Sequence, residues 1–258
     1  MRTLKDYITS LLTEGCREDG RSLLEYRPIT IEVNPIPKAN GSARVKIGAT
    51  EVLVGVKLDV GEPFPDTPDS GVLIVNAELI PLASPEFEPG PPKEEAIELA
   101  RIVDRTIRES GMIDLEKLCI KKKEKVWMVF VDIYPLNDEG NLFDAGVLGA
   151  IVALRNAKMP KYDKKEEVVL HKELTTEKLP LQATPILNTF CKLNGVLFVD
   201  ATTRERKASE CRLSIATKAN GHICAMQKGE FGSFTADEIL RLVDLAIEKG
   251  KELRQLIK

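Results

Sequence analysis

Residues 143–157 are apolar on nearly every side of a helical wheel, and they follow the turn Asn137-Asp138-Glu139-Gly140-Asn141. A helix with no polar face has to be enclosed by other elements, so the rest of the chain must wrap it. Its longest unbroken apolar run, residues 145–154, is about half the ~20 residues that cross a bilayer. The amino-terminal Met1-Arg2-Thr3-Leu4-Lys5-Asp6 has no apolar core of the secretory type. A cytoplasmic chain without membrane contact is the expectation. At 258 residues with 43% hydrophobic content, the sequence can build a large core and is too apolar for disorder.

The wrapping elements are mostly strands. Leu4, Tyr7, Ile8, Leu11 and Leu12 have the spacing of an amphipathic helix that stops near Gly15. Residues 29–36, 42–47 and 51–60 read as an antiparallel meander, with Asn40-Gly41 and Gly48-Ala49-Thr50 as its turns. A strand over 71–79 leads to the prolines Pro81, Pro85, Pro89, Pro91 and Pro92, which bar regular structure. Residues 93–110 form a helix with acidic early turns, basic late turns and Gly111 as its stop. A strand over 126–134 then precedes the enclosed helix. Strands follow at 168–171, 183–192, 196–200, 212–218 and 222–227, with turns at Leu193-Asn194-Gly195 and Asn220-Gly221. Thr235-Ala236-Asp237-Glu238 is a capping box that opens a last helix to about Ile257. Strands followed by a long helix occur twice, which predicts one α+β unit over 1–258 with halves of about 19–160 and 161–258.

Few groups suggest chemistry. The five cysteines are scattered, and with only His171 and His222 to assist them they form no readable disulfide or zinc pattern. No metal site and no cofactor is expected. P-loop, serine-esterase and zinc-protease motifs are all missing. A net charge of −3 excludes a globally basic nucleic-acid binder and leaves room for a local patch. Arg101, Arg105 and Arg108 fall on one face of the 93–110 helix. Spacing alone allows two readings: an anion site built from guanidinium forks, or a solvated face neutralised by Glu94, Glu98 and Asp104. Lys121, Lys122, Lys123 and Lys125 form a second basic run of the same ambiguity. Asp200, Glu205 and Glu210 could hold a divalent cation or could be ion-paired to Arg204, Arg206, Lys207 and Arg212. Gly140-Asn141 could offer backbone N–H groups to an anion, or Asn141 could simply cap the helix.

A combination of motifs is more specific. Asp19-Gly20-Arg21, Tyr26-Arg27-Pro28-Ile29, Asn40-Gly41-Ser42-Ala43 and Gly48-Ala49-Thr50 resemble the opening of the RNase PH family. Phe87-Glu88-Pro89-Gly90-Pro91-Pro92, the segment around Arg101 and Arg105, Lys125-Val126-Trp127, Gly140-Asn141-Leu142-Phe143-Asp144-Ala145 and Leu197-Phe198-Val199-Asp200 extend the likeness. Together they are most similar to the non-catalytic RNase PH-like subunits of the archaeal exosome. The resemblance implies an RNase PH-like fold (ribosomal protein S5 domain 2-like) of two βαβ-type halves around central helices. It also implies a hexameric ring of three copies alternating with three of a catalytic paralogue, RNA-binding cap subunits, and single-stranded RNA as the bound polymer. In such rings RNA is degraded from the 3′ end with inorganic phosphate and Mg²⁺, and the long helix of the non-catalytic subunit supplies RNA-binding arginines, which here are Arg101 and Arg105, with Arg108 on the same stripe.

The same family pattern marks what this chain lacks. Where catalytic members carry a Gly-Ser/Thr-Arg phosphate pocket, this sequence has Gly140-Asn141-Leu142. Asp200 keeps the first of their two aspartates, but the second position holds Arg206, with Glu205 one residue out of register. Their basic pair before the long helix is Lys93-Glu94-Glu95 here. The expectation is therefore no catalytic residue and no phosphorolysis by this chain alone. Two alternatives stand beside it: a self-sufficient exoribonuclease using Asp200 and Glu205, and a binding module that does not touch RNA.

Overall fold

The computed structural model describes residues 3–163 and 166–257, so Met1 and Arg2 of the segment considered above lie outside the described residues. In chain order the elements are α1 (Leu4–Thr13), β1 (Ile29–Val33), β2 (Gly41–Ile47), β3 (Thr50–Gly61), β4 (Val72–Ala77), α2 (Glu94–Glu109), β5 (Cys119–Lys121), β6 (Lys125–Asn137) and α3 (Leu142–Arg155). They continue with β7 (Lys158–Asp163), β8 (Val168–Lys178), β9 (Ile186–Leu193), β10 (Val196–Val199), α4 (Thr203–Ala208), β11 (Cys211–Thr217), β12 (Ile223–Gly229) and α5 (Ala236–Arg254). One sheet has the order β1-β2-β3-β6-β4, with β5 beside β6; a second runs β10-β9-β11-β12, and β7 pairs with β8 as a separate ribbon.

The helix without a polar face is α3, and every residue from Asp144 to Leu154 is buried. It lies between the sheets, against β2, β3 and β9, with α2 alongside. Val45, Val54, Ile133, Ile151 and Leu187 belong to the resulting core, each such side chain contributing ~1.5–3 kcal/mol on burial. The amphipathic α5 covers the other face of the second sheet, where Leu242 and Ala246 meet Phe190 and Ile215.

Several expectations change in the structure. Asn40-Gly41 is not a hairpin turn: Gly41 is the first residue of β2, and Asn40 is buried with its amide on Lys158 O and Leu58 N. A Cβ on Gly41 would lie 2.3 Å from Ala153 O, so glycine is there to let α3 pack close. Gly48-Ala49, by contrast, joins β2 to β3 as a two-residue loop, Ile47 pairing with Thr50. Asn194-Gly195 likewise joins β9 to β10, both residues at positive φ. The strand β4 runs parallel to β6, α2 lying between them in sequence, whereas every pairing in the second sheet is antiparallel. The βαβ arrangement expected of both halves is therefore found in the first. The expected junction at residues 160 and 161 falls within β7.

Candidate nucleic-acid interface

Helix α2 starts without a side-chain cap, and Glu94 and Glu95 in its first turn complement the dipole instead. Ala96, Leu99, Ile102, Val103, Thr106 and Ile107 face the core at helical spacing. That burial fixes the opposite face, where Arg101 and Arg105 stand exposed one turn apart. They border a groove between α2 and the edge strand β4 that also takes in Asn76, Asp104 and Asp132.

The carboxylates that could neutralise this face are largely engaged elsewhere. Asp104 accepts from Arg108 Nη2 and Nε at 2.6 and 3.2 Å, while Arg108 Nη2 also reaches Leu73 O at 3.1 Å. Glu98 turns to the second sheet, accepting from Arg212 Nη2 at 2.6 Å and Gln227 Nε2 at 2.9 Å. Arg101 and Arg105 have no hydrogen-bond or ion-pair partner among the described residues. The sequence stripe thus divides, with Arg108 tied down and Arg101 and Arg105 free. Two like charges four residues apart cost a helix ~0.2–0.5 kcal/mol, so this pair does not stabilise α2.

The lysine run differs. Lys121 pairs with Glu124, Lys122 with Asp69 and Lys125 with Glu167, leaving Lys123 at a turn with φ of 68°.

The candidate carboxylates do not assemble into a cation site. Asp200 is 0% exposed, and its oxygens accept from Arg21 Nη1, Arg27 N, Arg27 Nε, Arg27 Nη2 and Asn141 Nδ2 at 2.7–2.9 Å. Burial alone would raise its pKa, but the hydrogen bonds and charge of Arg27 outweigh that and hold the carboxyl below the ordinary range. Glu205 is equally enclosed, paired with Arg17 through Nε at 2.8 Å and through Nη2. It also completes the capping box of α4 with Thr202. Glu210 pairs with Lys5 at 3.3 Å. The three acids therefore serve separate cations, Asp200 taking two of the four, and the described residues contain no cluster of three potential metal ligands. Arg206 approaches Asp138 at 3.7 Å.

At the mouth of α3, Gly140 has a φ of 88°, and a Cβ there would fall 2.4 Å from Ala201 O. Asn141 occupies the cap position but makes no cap hydrogen bond, which corrects the simple capping reading. Held at a φ of 62°, it sends Nδ2 to both Asp144 and Asp200. Asp144 is buried and accepts from Tyr26 Oη at 2.7 Å, Thr189 Oγ1 at 2.8 Å and Thr189 N at 3.1 Å. Desolvation dominates those hydrogen bonds and lifts its carboxyl to about 6. Glu94, Glu95, Glu98, Arg206, Arg212 and Glu230 border the pocket in front of it. Sequence reasoning missed the seam formed by Arg17, Arg21 and Arg27, although Asp19-Gly20-Arg21 and Tyr26-Arg27-Pro28 had been noticed as motifs.

Residues 25–160 match the model of the 3′ exoribonuclease family, domain 1, and residues 183–249 that of domain 2. The exosome complex component Rrp42 of Methanocella arvoryzae is 50% identical over 256 residues, covering 98% of this chain and 95% of the relative. That of Thermococcus onnurineus is 51% identical over 257 residues, with 98% and 94% covered. Among solved structures, a chain of the Archaeoglobus fulgidus exosome with RNA bound to the active site superposes with a TM-score of 0.92 at 46% identity, over 99% of this chain and 98% of that one. Rice Rrp46, at 16% identity and a TM-score of 0.70, shares the fold.

Proposed function

Since the chain belongs to the 3′ exoribonuclease, or RNase PH, family, we propose that it is the non-catalytic RNase PH-like subunit of an archaeal exosome, ordering a partner's active site and gripping RNA. One contrast carries this reading. Asp200, at the first position of the catalytic pair, and Glu205, one residue out of register with the second, are spent on internal arginines, whereas Arg101 and Arg105 have no partner among the described residues. A carboxylate that is wholly buried and accepts from five donors has no lone pair to offer a metal or a proton in transit. A pair of exposed, unpartnered guanidinium groups suits successive phosphates of a single strand.

In this reading the chain is one RNase PH-like unit that alternates with a catalytic paralogue in a three-plus-three ring. RNA-binding cap subunits sit on one face, and the assembly works in the cytoplasm. The partner supplies the phosphorolytic chemistry with inorganic phosphate and Mg²⁺. Arg101 and Arg105 hold the RNA backbone as it approaches that site, and Arg108, anchored on Asp104 and Leu73 O, stiffens the end of the stripe.

The test is phosphate-dependent release of nucleoside diphosphates from single-stranded RNA by this chain alone, the paralogue alone and the two co-purified. Activity confined to the pair is expected. Turnover by this chain alone overturns the assignment and makes Asp200 and Glu205 the next residues to replace.

A further inference from the structure

We propose that the cavity at the carboxyl-terminal end of α3 binds a mononucleotide through its phosphate groups. It shares no lining residue with the Arg101–Arg105 groove, so the proposal does not depend on the RNA reading. Its volume of about 620 Å³ falls within the ~300–1,000 Å³ of small-molecule sites.

Charge is the first reason. Acids outnumber bases 40 to 37 in the chain, yet this cavity is lined by two cations, Arg155 and Lys218, and by no carboxylate. Neither cation has an ion-pair partner among the described residues, and both are half-buried with their side chains still open to a ligand. Helix ends account for only part of the charge. Arg155 is the last residue of α3, and Ser110, which closes α2, lines the same cavity. Two carboxyl-terminal helix ends at about −0.5 each offset one of the two cations and leave the other. Arg254 adds positive charge from behind: its Nε donates to Thr184 O at 2.9 Å and its Nη2 to Thr217 O and, at 3.1 Å, to Thr217 Oγ1. None of those acceptors is a carboxylate.

Geometry is the second reason. Arg155 Nη1 donates to Thr184 Oγ1 at 3.1 Å. That bond orients the guanidinium and leaves the rest of its fork for the oxygens of a phosphate. A lone carboxylate would leave one of the cations unmet, whereas a diphosphate can meet both. Two amides beside them are held in opposite senses. Gln182 gives Nε2 to Asp114 Oδ2 at 2.7 Å, so its Oε1 remains as an acceptor. Asn220 accepts from His222 N at 3.1 Å through Oδ1, so its Nδ2 remains as a donor. An acceptor and a donor suit ribose hydroxyls and a base edge, and Leu181, Ala183 and Ala219 supply an apolar wall for the base. Binding without turnover is implied, since the lining holds neither a carboxylate nor a histidine to carry a proton.

The experiment is calorimetric titration of the full chain with ADP, adenosine and inorganic phosphate, and with ADP again in the presence of excess oligoadenylate. ADP should bind saturably, and adenosine and inorganic phosphate, each lacking one half of the ligand, should bind about tenfold or more weakly. Lys218→Gln and Arg155→Gln should each weaken ADP about tenfold or more. Neither substitution strands a carboxylate, so the urea midpoint should move little and lost binding is not lost fold. Absence of saturable ADP binding, equal binding of adenosine or of inorganic phosphate, full ADP affinity in either variant, or displacement of ADP by oligoadenylate each overturns the proposal.

Discussion

Arginines occur in two settings in this chain. Arg17, Arg21 and Arg27 lie within a seam where every guanidinium finds a carboxylate, Glu205 or Asp200, and backbone carbonyls besides. Arg101 and Arg105 stand on α2 with solvent around them and their neighbouring acids directed elsewhere. The first setting makes charge a structural element whose loss is felt by the fold. The second leaves charge in reserve, unpaired among the described residues. The first setting thus works as an internal joint between the halves of the chain, while the second leaves a helix face charged.

The largest expected effect tests the joint. Asp200→Ala strands Arg27 in a buried site, leaves Arg21 only the Asp19 carboxylate, and should cost about 3–5 kcal/mol in urea denaturation; a loss under about 1 kcal/mol would mean those arginines reach water and the two settings do not differ. Next comes pH, which separates two buried acids within the seam. Asp144 has a raised carboxyl, so the folded chain holds that proton more tightly than the unfolded one. Its stabilising contribution is full below the unfolded pKa near 4 and is lost as pH rises through about 6. Relative to Asp144→Asn, the unsubstituted chain should lose about 2 kcal/mol between pH 4 and 7. Asp200 is depressed, so its contribution runs the other way and is lost as pH falls below the ordinary carboxylate range. Parallel pH profiles for Asp144→Asn and the parent would remove Asp144 from this account.

A smaller effect is expected on α2. Arg101→Ala/Arg105→Ala should change stability by less than about 0.5 kcal/mol. It should weaken RNA binding by the assembled complex about tenfold or more, with the log–log salt slope falling by about 0.7 per lost phosphate contact. An unchanged slope would mean that the reserve charge serves another partner. The smallest is Lys121→Gln/Lys122→Gln/Lys125→Gln, where exposed pairs already neutralise the run. It should alter neither stability beyond about 0.5 kcal/mol nor the salt slope.

What the sequence made legible was local. Helix α2, the Asn194-Gly195 turn and the Thr235–Glu238 capping box depend on residues a few positions apart, and the structure has them where spacing and turn chemistry put them. Helix α4 carries the same kind of box, Thr202 to Glu205, yet it escaped notice because Arg204, Arg206 and Lys207 give six residues no apolar periodicity. Strand β7 was obscured by Pro160 and its lysines. Asn40-Gly41 looked like a turn because the other reason for glycine, the approach of α3, comes from more than a hundred residues away. The freedom of Arg101 and Arg105 was hidden for a similar reason: it rests on Glu98 choosing Arg212, 114 positions on. Helical spacing supplied the three arginines and family likeness pointed to Arg101 and Arg105, while packing shows why Arg108 differs, held by Asp104 and Leu73 O.

The seam also bears on the order in which the molecule can be made. Arg17 and Glu205 are 188 positions apart, and Arg27 and Asp200 are 173 apart. At ~5–20 residues per second of synthesis, roughly 10–40 s separate the emergence of each arginine from that of its acid. Through that interval the early strands leave the ribosome without the charges that close them, and their last consolidation waits for Asp200 and Glu205 to arrive.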